Sequence, residues 1–339
     1  MFDETDFDAL FRSIRNQKVL IIGDVMIDSY LWGKVRRVSP EAPVPIVSGI
    51  MEENRLGGAA NVALNIKSMG AVPILCSVIG RDERGSVFLE LLEEENLTDV
   101  GIQVDDYRVT TQKTRVISGY QHLLRVDEEM ENELSTRMQE HFIEIILNLM
   151  ETGGIDSIIF QDYDKGVITP NIISRVVRLA RELRIPVLVD PKFRNFNRYM
   201  DVTLFKPNFK ELINGVETDL EKGDFKKIAE VAEQFRRKQN HQIVMVTLSD
   251  KGILVAEEGT HHHLPAQVRD ITDVSGAGDT VIALSALCYS AGLTPPQIAS
   301  VANLAGGQVC ERSGVVPVEH NLLLEECKKL FTDSPQGIA

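Results

Sequence analysis

Asp273-Val274-Ser275-Gly276-Ala277-Gly278-Asp279-Thr280, followed by the apolar run Val281 to Cys288, carries more chemistry than any other stretch of the sequence. Small residues at 275–278 let backbone N–H groups approach a ligand closely, and the helix predicted by the apolar run points its positive dipole end at the same spot. Such a turn is an anion hole. A carboxylate beside it, Asp279, is placed to take the proton of an attacking hydroxyl. Pattern alone favours a plainer reading, a tight turn with Asp279 as a helix cap. A second glycine pair, Gly57-Gly58-Ala59-Ala60-Asn61, also precedes a predicted helix. Asn61 can donate and accept toward a sugar hydroxyl, or the pair is simply a loop. Asp24 and Asp28 bracket the end of the first apolar run, where two carboxylates can hold the hydroxyls of a polyol.

Positioning these groups requires a particular alternation of elements. Val19 to Ile22, closed by Gly23-Asp24, reads as a buried strand presenting Asp24 at its carboxyl end. Helical spacing follows over Gly58 to Met69, then strand-like Val72 to Ile79, helical Ser86 to Glu95 and helical Asn132 to Met150. In that last helix Leu134, Met138, Phe142, Ile145 and Leu149 form one face. Strands are predicted at Ile155 to Phe160, Pro186 to Val189 and Ile243 to Thr247, with helices at Ile172 to Leu183 and Phe225 to Gln239. Repeated βα alternation with continuous apolar strands implies an α/β fold, a mostly parallel sheet covered on both faces by helices, with ligands at the strands' carboxyl ends. Tyr30 to Ile50 and Gly101 to Asp127 break the rhythm. They are rich in β-branched residues, and Pro40, Pro43 and Pro45 exclude a helix from the first, so both are assigned to a small separate sheet lying over the main one as a lid. No linker divides the chain, and residues 1–332 are expected to form one domain with lid segments at about 30–50 and 101–127, followed by a frayed tail at 333–339.

Composition narrows the function. The 339 residues carry 36 Lys+Arg against 50 Asp+Glu, a formal charge of −14, which disfavours wide contact with nucleic acid or an acidic membrane. Cys76, Cys288, Cys310 and Cys327 are far apart and show no zinc or disulfide spacing. The first ten residues are acidic where a signal peptide would be basic, and Phe142 to Met150 is too short to span a bilayer, so a cytoplasmic location is expected. No GxGxxG follows the first strand, which argues against a dinucleotide-dependent oxidoreductase.

Taken together these pieces resemble the ribokinase-like (PfkB) carbohydrate kinases over Val19 to Gly314. The first family signature is similar to Gly57-Gly58-Ala59-Ala60-Asn61 continuing to Gly70 and Gly80, and the more specific second one to Asp273 to Asp279. Within the family the sequence is most similar to the bacterial heptose-7-phosphate kinases of ADP-heptose synthesis. That likeness rests on Gly23 to Asp28, the discriminating Val38-Ser39-Pro40-Glu41-Ala42-Pro43-Val44-Pro45, Thr114-Arg115-Val116 and Leu124 to Asp127. It continues in Asp162-Tyr163 with Lys165-Gly166, in Asp190-Pro191-Lys192, and in Ser275 to Ala283. The chain departs from that pattern at Leu56, in place of proline, at Gln161, in place of a small residue, and at Asp164, in place of alanine. Phe193-Arg194 and Lys206 are also unusual.

The resemblance implies an ATP-dependent kinase that phosphorylates the anomeric hydroxyl of D-glycero-D-manno-heptose 7-phosphate, giving the 1,7-bisphosphate for lipopolysaccharide precursor synthesis. Alternatives are a kinase of another sugar, sugar phosphate or nucleoside, or a catalytically silent sugar- or nucleotide-binding regulator. By the same resemblance Asp279 is the general base, and the backbone of Gly276, Ala277 and Gly278 holds charge developing on the phosphoryl group. Asn208 and Glu211 organise Mg²⁺ near ATP; Thr247, Ser249, Gly252 and Asn303 border the nucleotide; Asp273 and Ser275 hold K⁺. Asp24, Asp28, Gly57, Gly58 and Asn61 line the sugar pocket. An acidic protein needs local cations to hold an anionic sugar, and Arg115, Lys165 and Lys192 are the candidates. Bifunctional relatives continue into a nucleotidyltransferase domain, so this chain is expected to be the kinase half alone. A lid with apolar residues on both faces, among them Trp32, Val44, Ile46 and Val116, is expected to meet a second copy in a homodimer. His261-His262-His263 is expected on an exposed hairpin strand rather than on a metal, because consecutive strand residues point to opposite faces.

Overall fold

In the computed structural model, which describes residues 6–119 and 121–332, the apolar runs become the strands of a nine-stranded sheet in the order β13-β12-β11-β10-β9-β8-β1-β4-β5. Its members are β1 (Lys18–Gly23), β4 (Val72–Gly80), β5 (Gly101–Asp105), β8 (Ser157–Gln161), β9 (Val187–Asp190), β10 (Leu204–Phe205), β11 (Ile243–Thr247), β12 (Ile253–Glu257) and β13 (Thr260–Leu264). Pairing is parallel from β11 to β5; only β12 and β13 add antiparallel edges. Period-two alternation splits β1 between two cores. Val19 and Ile21 join one with α1 (Phe7–Ile14), α2 (Ala59–Ser68), α3 (Glu83–Glu94), α8 (Ala277–Ser290), α9 (Pro295–Cys310) and α10 (His320–Thr332). Leu20 and Ile22 join the other with α4 (Thr136–Thr152), α5 (Pro170–Leu183), α6 (Phe209–Val216) and α7 (Phe225–Gln239). Strand order reverses between β1 and β8, which opens the crevice at their carboxyl ends where a ligand belongs.

The lid is a separate four-stranded sheet, β3-β2-β6-β7, built from β2 (Val25–Val38), β3 (Pro45–Gly58), β6 (Gln112–Ser118) and β7 (Gln121–Glu128). It corrects the expected segments in two ways. The first hairpin runs from Val25 to Gly58, so one residue, Asp24, separates the main sheet from the lid, and Gly58, at φ +59°, turns the chain into α2. Gly101–Asp105 is not in the lid but is the edge strand of the main sheet, paired in parallel with β4 through Cys76↔Gly101 to Gly80↔Asp105. Its alternation is equally compatible with either sheet, and only the crossover through α3 decides. The face of α4 is also rotated from the expected one: Phe142, Ile143, Ile146 and Met150 are buried while Ile145 and Leu149 are half-exposed, because docking on the second core, not the pattern alone, sets which stripe is covered; the helix begins at Thr136 under an N-cap from Ser135 rather than at Asn132. The histidine run occupies β13 as expected, with the His263 ring stacked on Phe225, and among the described residues no cluster of three metal-ligating side chains occurs. No described helix is long and apolar enough to cross a membrane. The expected tail at 333–339 lies outside the described residues.

Candidate active site

Three elements converge on Asp279. Gly276, at φ +81°, bends the chain into α8 with no side chain capping the helix, so its first-turn N–H groups face the crevice. Asp279 in that turn is 4% exposed. From α2, Asn61 donates to Asp279 Oδ2 at 2.8 Å; from beyond β8, the Tyr163 hydroxyl donates to Oδ1 at 2.6 Å, and Gln161 Nε2 donates to Oδ1 at 3.0 Å. A carboxylate offers about two lone pairs on each oxygen. Oδ1 is therefore saturated while Oδ2 keeps one lone pair for an incoming proton. Burial pushes the Asp279 carboxyl up to about 6; the donors Asn61 and Tyr163 oppose it, Asp190 adds to it and Lys206 opposes it. The group is ionised at neutral pH yet basic enough to accept a proton.

The sugar-side residues separate into two kinds. Asp28 is 3% exposed, lies against Gly57 where any Cβ would collide with its carboxylate, and is paired with Arg115 across the lid strands. Asp24, expected beside it in the polyol pocket, instead turns both oxygens to the backbone: Oδ2 accepts from the N–H of Tyr163 (2.8 Å) and Lys165 (3.1 Å), and Oδ1 from that of Val167 (3.1 Å). Its work is to fold the 163–167 turn that delivers Tyr163 to Asp279. Lys165 is paired with Glu129 at 2.8 Å and Glu131 at 3.4 Å beneath the lid. Lys192 has partners different from those of Arg115. It pairs with Glu211 and stands 5.4 Å from the centre of the Tyr163 ring. Burial works against its charge, but Asp190, Glu211 and Asp279 together outweigh that and hold the ammonium firmly protonated.

On the other flank, Asn208 and Glu211 form a reciprocal capping box at the start of α6, and Asn208 bridges to Thr247. Gly252, at φ +89°, abuts residues 264–266, and Asn303 donates to the Pro265 carbonyl at 2.9 Å, so these expected nucleotide-side residues share one neighbourhood; Ser249 lies exposed in the adjoining turn. A magnesium ion takes most of its ligands from phosphates and water and needs only one or two protein carboxylates. Glu211 offers such a carboxylate, with Asn208 beside it in the capping box. Asp273 accepts from the N–H of Ser275 (2.9 Å) and Gly314 (3.0 Å), which tie the loop before α8 to the loop after α9. These donors, against the opposing effect of burial, hold its carboxyl below the usual range. Tyr30, with the guanidinium groups of Arg55 and Arg115 5.0 and 5.3 Å from its ring centre, accepts from the Val315 N–H and links the lid to the same loop.

Sequence reasoning did not assign Tyr163, Asp190, Lys206 or Gln161 to the site. Lys206, 2% exposed, pairs with Asp190 at 3.0 Å, and a side chain on Gly278 would begin 3.6 Å from its Nζ. Each of the four stands at or within two residues of the carboxyl end of β8, β9 or β10, so the strand-end rule applied to every strand finds them all.

The model of the pfkB family of carbohydrate kinases matches residues 16–321. The chain belongs to that family. This pfkB kinase is 37% identical over 339 residues to the bifunctional protein HldE of Pelobacter propionicus, with 99% of this chain and 68% of the relative covered. It is 39% identical over 317 residues to HldE of Magnetococcus marinus, covering 93% of this chain and 65% of that protein. Among solved structures, phosphofructokinase-2 from Escherichia coli in complex with potassium superposes with a TM-score of 0.75 at 17% identity, covering 94% of this chain and 99% of the other. Ribokinase of Arabidopsis thaliana, complexed with ribose and ATP, gives 0.70 at 19% identity over 92% and 99%. The pfkB kinase thus has the ribokinase-like fold, and its reaction is phosphoryl transfer to a carbohydrate.

Proposed function

We propose that this single kinase domain transfers the γ-phosphoryl group of ATP to the anomeric hydroxyl of a heptose 7-phosphate, in the cytoplasm, for ADP-heptose synthesis. The observation that carries the reading is the free lone pair of Asp279 Oδ2 at the uncapped N-terminus of α8, facing the crevice that Asp28, Asn61 and the lid border; the HldE relatives support the heptose. The anomeric O–H gives its proton to Oδ2 as its oxygen bonds to the γ-phosphorus, and the bond from that phosphorus to the bridging oxygen breaks to leave ADP. Lys192 and Lys206 hold the phosphate chain as point charges, and the N–H groups of the Gly276 to Gly278 turn receive the charge that develops. Glu211 and Asn208 would hold Mg²⁺, which would add neutralisation of the phosphates, and Asp273 and Ser275 would hold K⁺ in the same proposal.

Register on the lid supports a place for the distal phosphate. Tyr30, Arg115 and Arg125 are cross-strand partners, as are Asp28, Lys113 and Asp127, so Lys113, Arg115 and Arg125 share one face of the lid with Asp28. An ADP-release assay over a panel of phosphorylated and free sugars, with the product anomer read by NMR, is expected to favour the heptose 7-phosphate. In the same assay Arg115→Met raises KM for the phosphorylated sugar roughly 10–100-fold, the worth of a charged hydrogen bond, and leaves KM for ATP unchanged. Lys192→Met does the reverse. A panel led by another sugar overturns the substrate, and a rise in KM for ATP in Arg115→Met overturns the phosphate site.

The lid's opposite face carries exposed apolar residues. Leu31, Val116 and Leu124 are cross-strand partners, Leu124 is 59% exposed and Val126 is 45% exposed. This face supports the homodimer: sedimentation is expected to give a dimer at micromolar concentration, and Leu124→Asp a monomer. A wild-type monomer at that concentration rejects it.

A further inference from the structure

Gln161, the last residue of β8, is 1% exposed and stands between two carboxylates. Its Nε2 lies 3.0 Å from Asp279 Oδ1 and 3.2 Å from Asp190 Oδ2, so each of its two amide hydrogens has a carboxylate to serve. The other oxygen of Asp190 accepts from Lys206 at 3.0 Å. The result is a buried chain, Lys206–Asp190–Gln161–Asp279, across the floor of the site. Gln161 Oε1 is buried with no partner. Turning the amide over would set that oxygen against both carboxylates, so the observed orientation is enforced even though it orphans a carbonyl. A side chain serving packing alone would be hydrocarbon, and an unsatisfied buried polar atom calls for a reason.

We infer that Gln161 is a positioning residue for the proton acceptor: with Tyr163 it occupies both lone pairs of Asp279 Oδ1 and so leaves Oδ2 as the oxygen presented to the substrate hydroxyl. The inference rests on the reading of Asp279 as the base. Gln161 has a second effect through the same contacts. The charged and titratable groups facing Asp279 are Asp190 and Lys192 from the end of β9, Lys206 from the end of β10 and Tyr163 from the end of β8. Of these only Asp190 opposes ionisation of Asp279 by its charge, and the Gln161 amide lies between the two. Its N–H favours Asp279 in the charged form.

The test is kcat/KM against pH for Gln161→Leu and Gln161→Glu. Removing the donors in Gln161→Leu is expected to move the acid limb up by about one pH unit and to lower kcat at pH 7 by about tenfold, with KM for ATP and sugar within twofold. Gln161→Glu, which adds a third carboxylate, moves the limb further and recovers activity at high pH. A limb that stays in place while kcat falls makes Gln161 merely structural, and a rise in KM with no movement makes it a substrate contact; either overturns the inference. If Gln161→Leu does not fold, the limb in Gln161→Glu decides alone. Asp279→Asn, run in parallel, separates the two claims: an inactive Asp279→Asn with an unmoved limb in the Gln161 variants sinks only the positioning role, while an active Asp279→Asn sinks the base itself.

Discussion

Asp279→Asn folds, binds ATP and turns over about 10²–10⁴-fold more slowly than the wild type, the usual loss on removing a general base. The substitution keeps the shape of a side chain that three neighbours hold, so the geometry of the crevice survives while the proton acceptor does not. The wild-type profile adds a second reading. With burial holding the carboxyl at about 6, Asp279 is protonated and idle below that pH and ionised above it, so kcat/KM is expected to rise through pH 6 to a plateau. Asp279→Asn flattens this limb. Turnover within threefold of wild type, or a wild-type limb well below pH 5, would remove Asp279 from the role.

A second buried acid governs stability rather than rate. Asp162 accepts from the Tyr199 hydroxyl at 2.8 Å, from Asn195 at 3.0 Å and from the Asp164 N–H at 2.9 Å. Burial, with Asp24 alongside, nevertheless pushes its carboxyl up to about 7. Burial raises Asp24 as well, against the opposing effect of its three backbone N–H donors and Arg108, so the two carboxyls share their protons as a pair. A carboxyl raised in the folded state stabilises the fold fully below its unfolded value near 4 and loses that contribution as pH rises through 7. The wild type is therefore expected to lose about 2–3 kcal/mol of unfolding free energy from this group between pH 5 and 8, at about 1.4 kcal/mol per pH unit up to 7. Asp279 and Asp24 act in the same direction. Urea melts of wild type and Asp162→Asn isolate the term, because the variant forfeits the Asp164 bond, about 1 kcal/mol, at every pH but has no proton to lose. Parallel stability curves for the two proteins over that range would show that Asp162 is ionised in the fold.

Much of the fold was legible because its causes are local. The buried strands are short apolar runs, the helices carry 3.6-residue periodicity, and β11 and α7 begin and end where the pattern says they do. The glycine turn before α8 declared itself in the same way, since close backbone approach requires small residues at consecutive positions. Gly101–Asp105 was not legible, because a five-residue alternating strand pairs equally well with either sheet until the crossover before it is known.

The sequence by itself determined which chemistry is present: an anion hole, a carboxylate within one helical turn of it, and cations enough to oppose a charge of −14. Tertiary structure alone decided what each group does. Asp24 and Asp28 are four residues apart in similar surroundings of sequence, yet one folds a backbone turn and the other faces Arg115, because the chain leaves the main sheet for the lid between them. Lys192, just past the end of β9, and Arg115, in the middle of lid strand β6, are both cations, and tertiary structure gives them different partners: α6 brings Glu211 to Lys192, while the lid pairs Arg115 with Asp28. Gln161 reads as the residue following an apolar strand, and its significance exists only where β8, β9 and α8 bring two carboxylates within reach of one amide. The physical reason is the same in each case: a side chain's type sets which interactions it can make, but burial and the identity of its partner, both products of elements distant in sequence, set which one it does make.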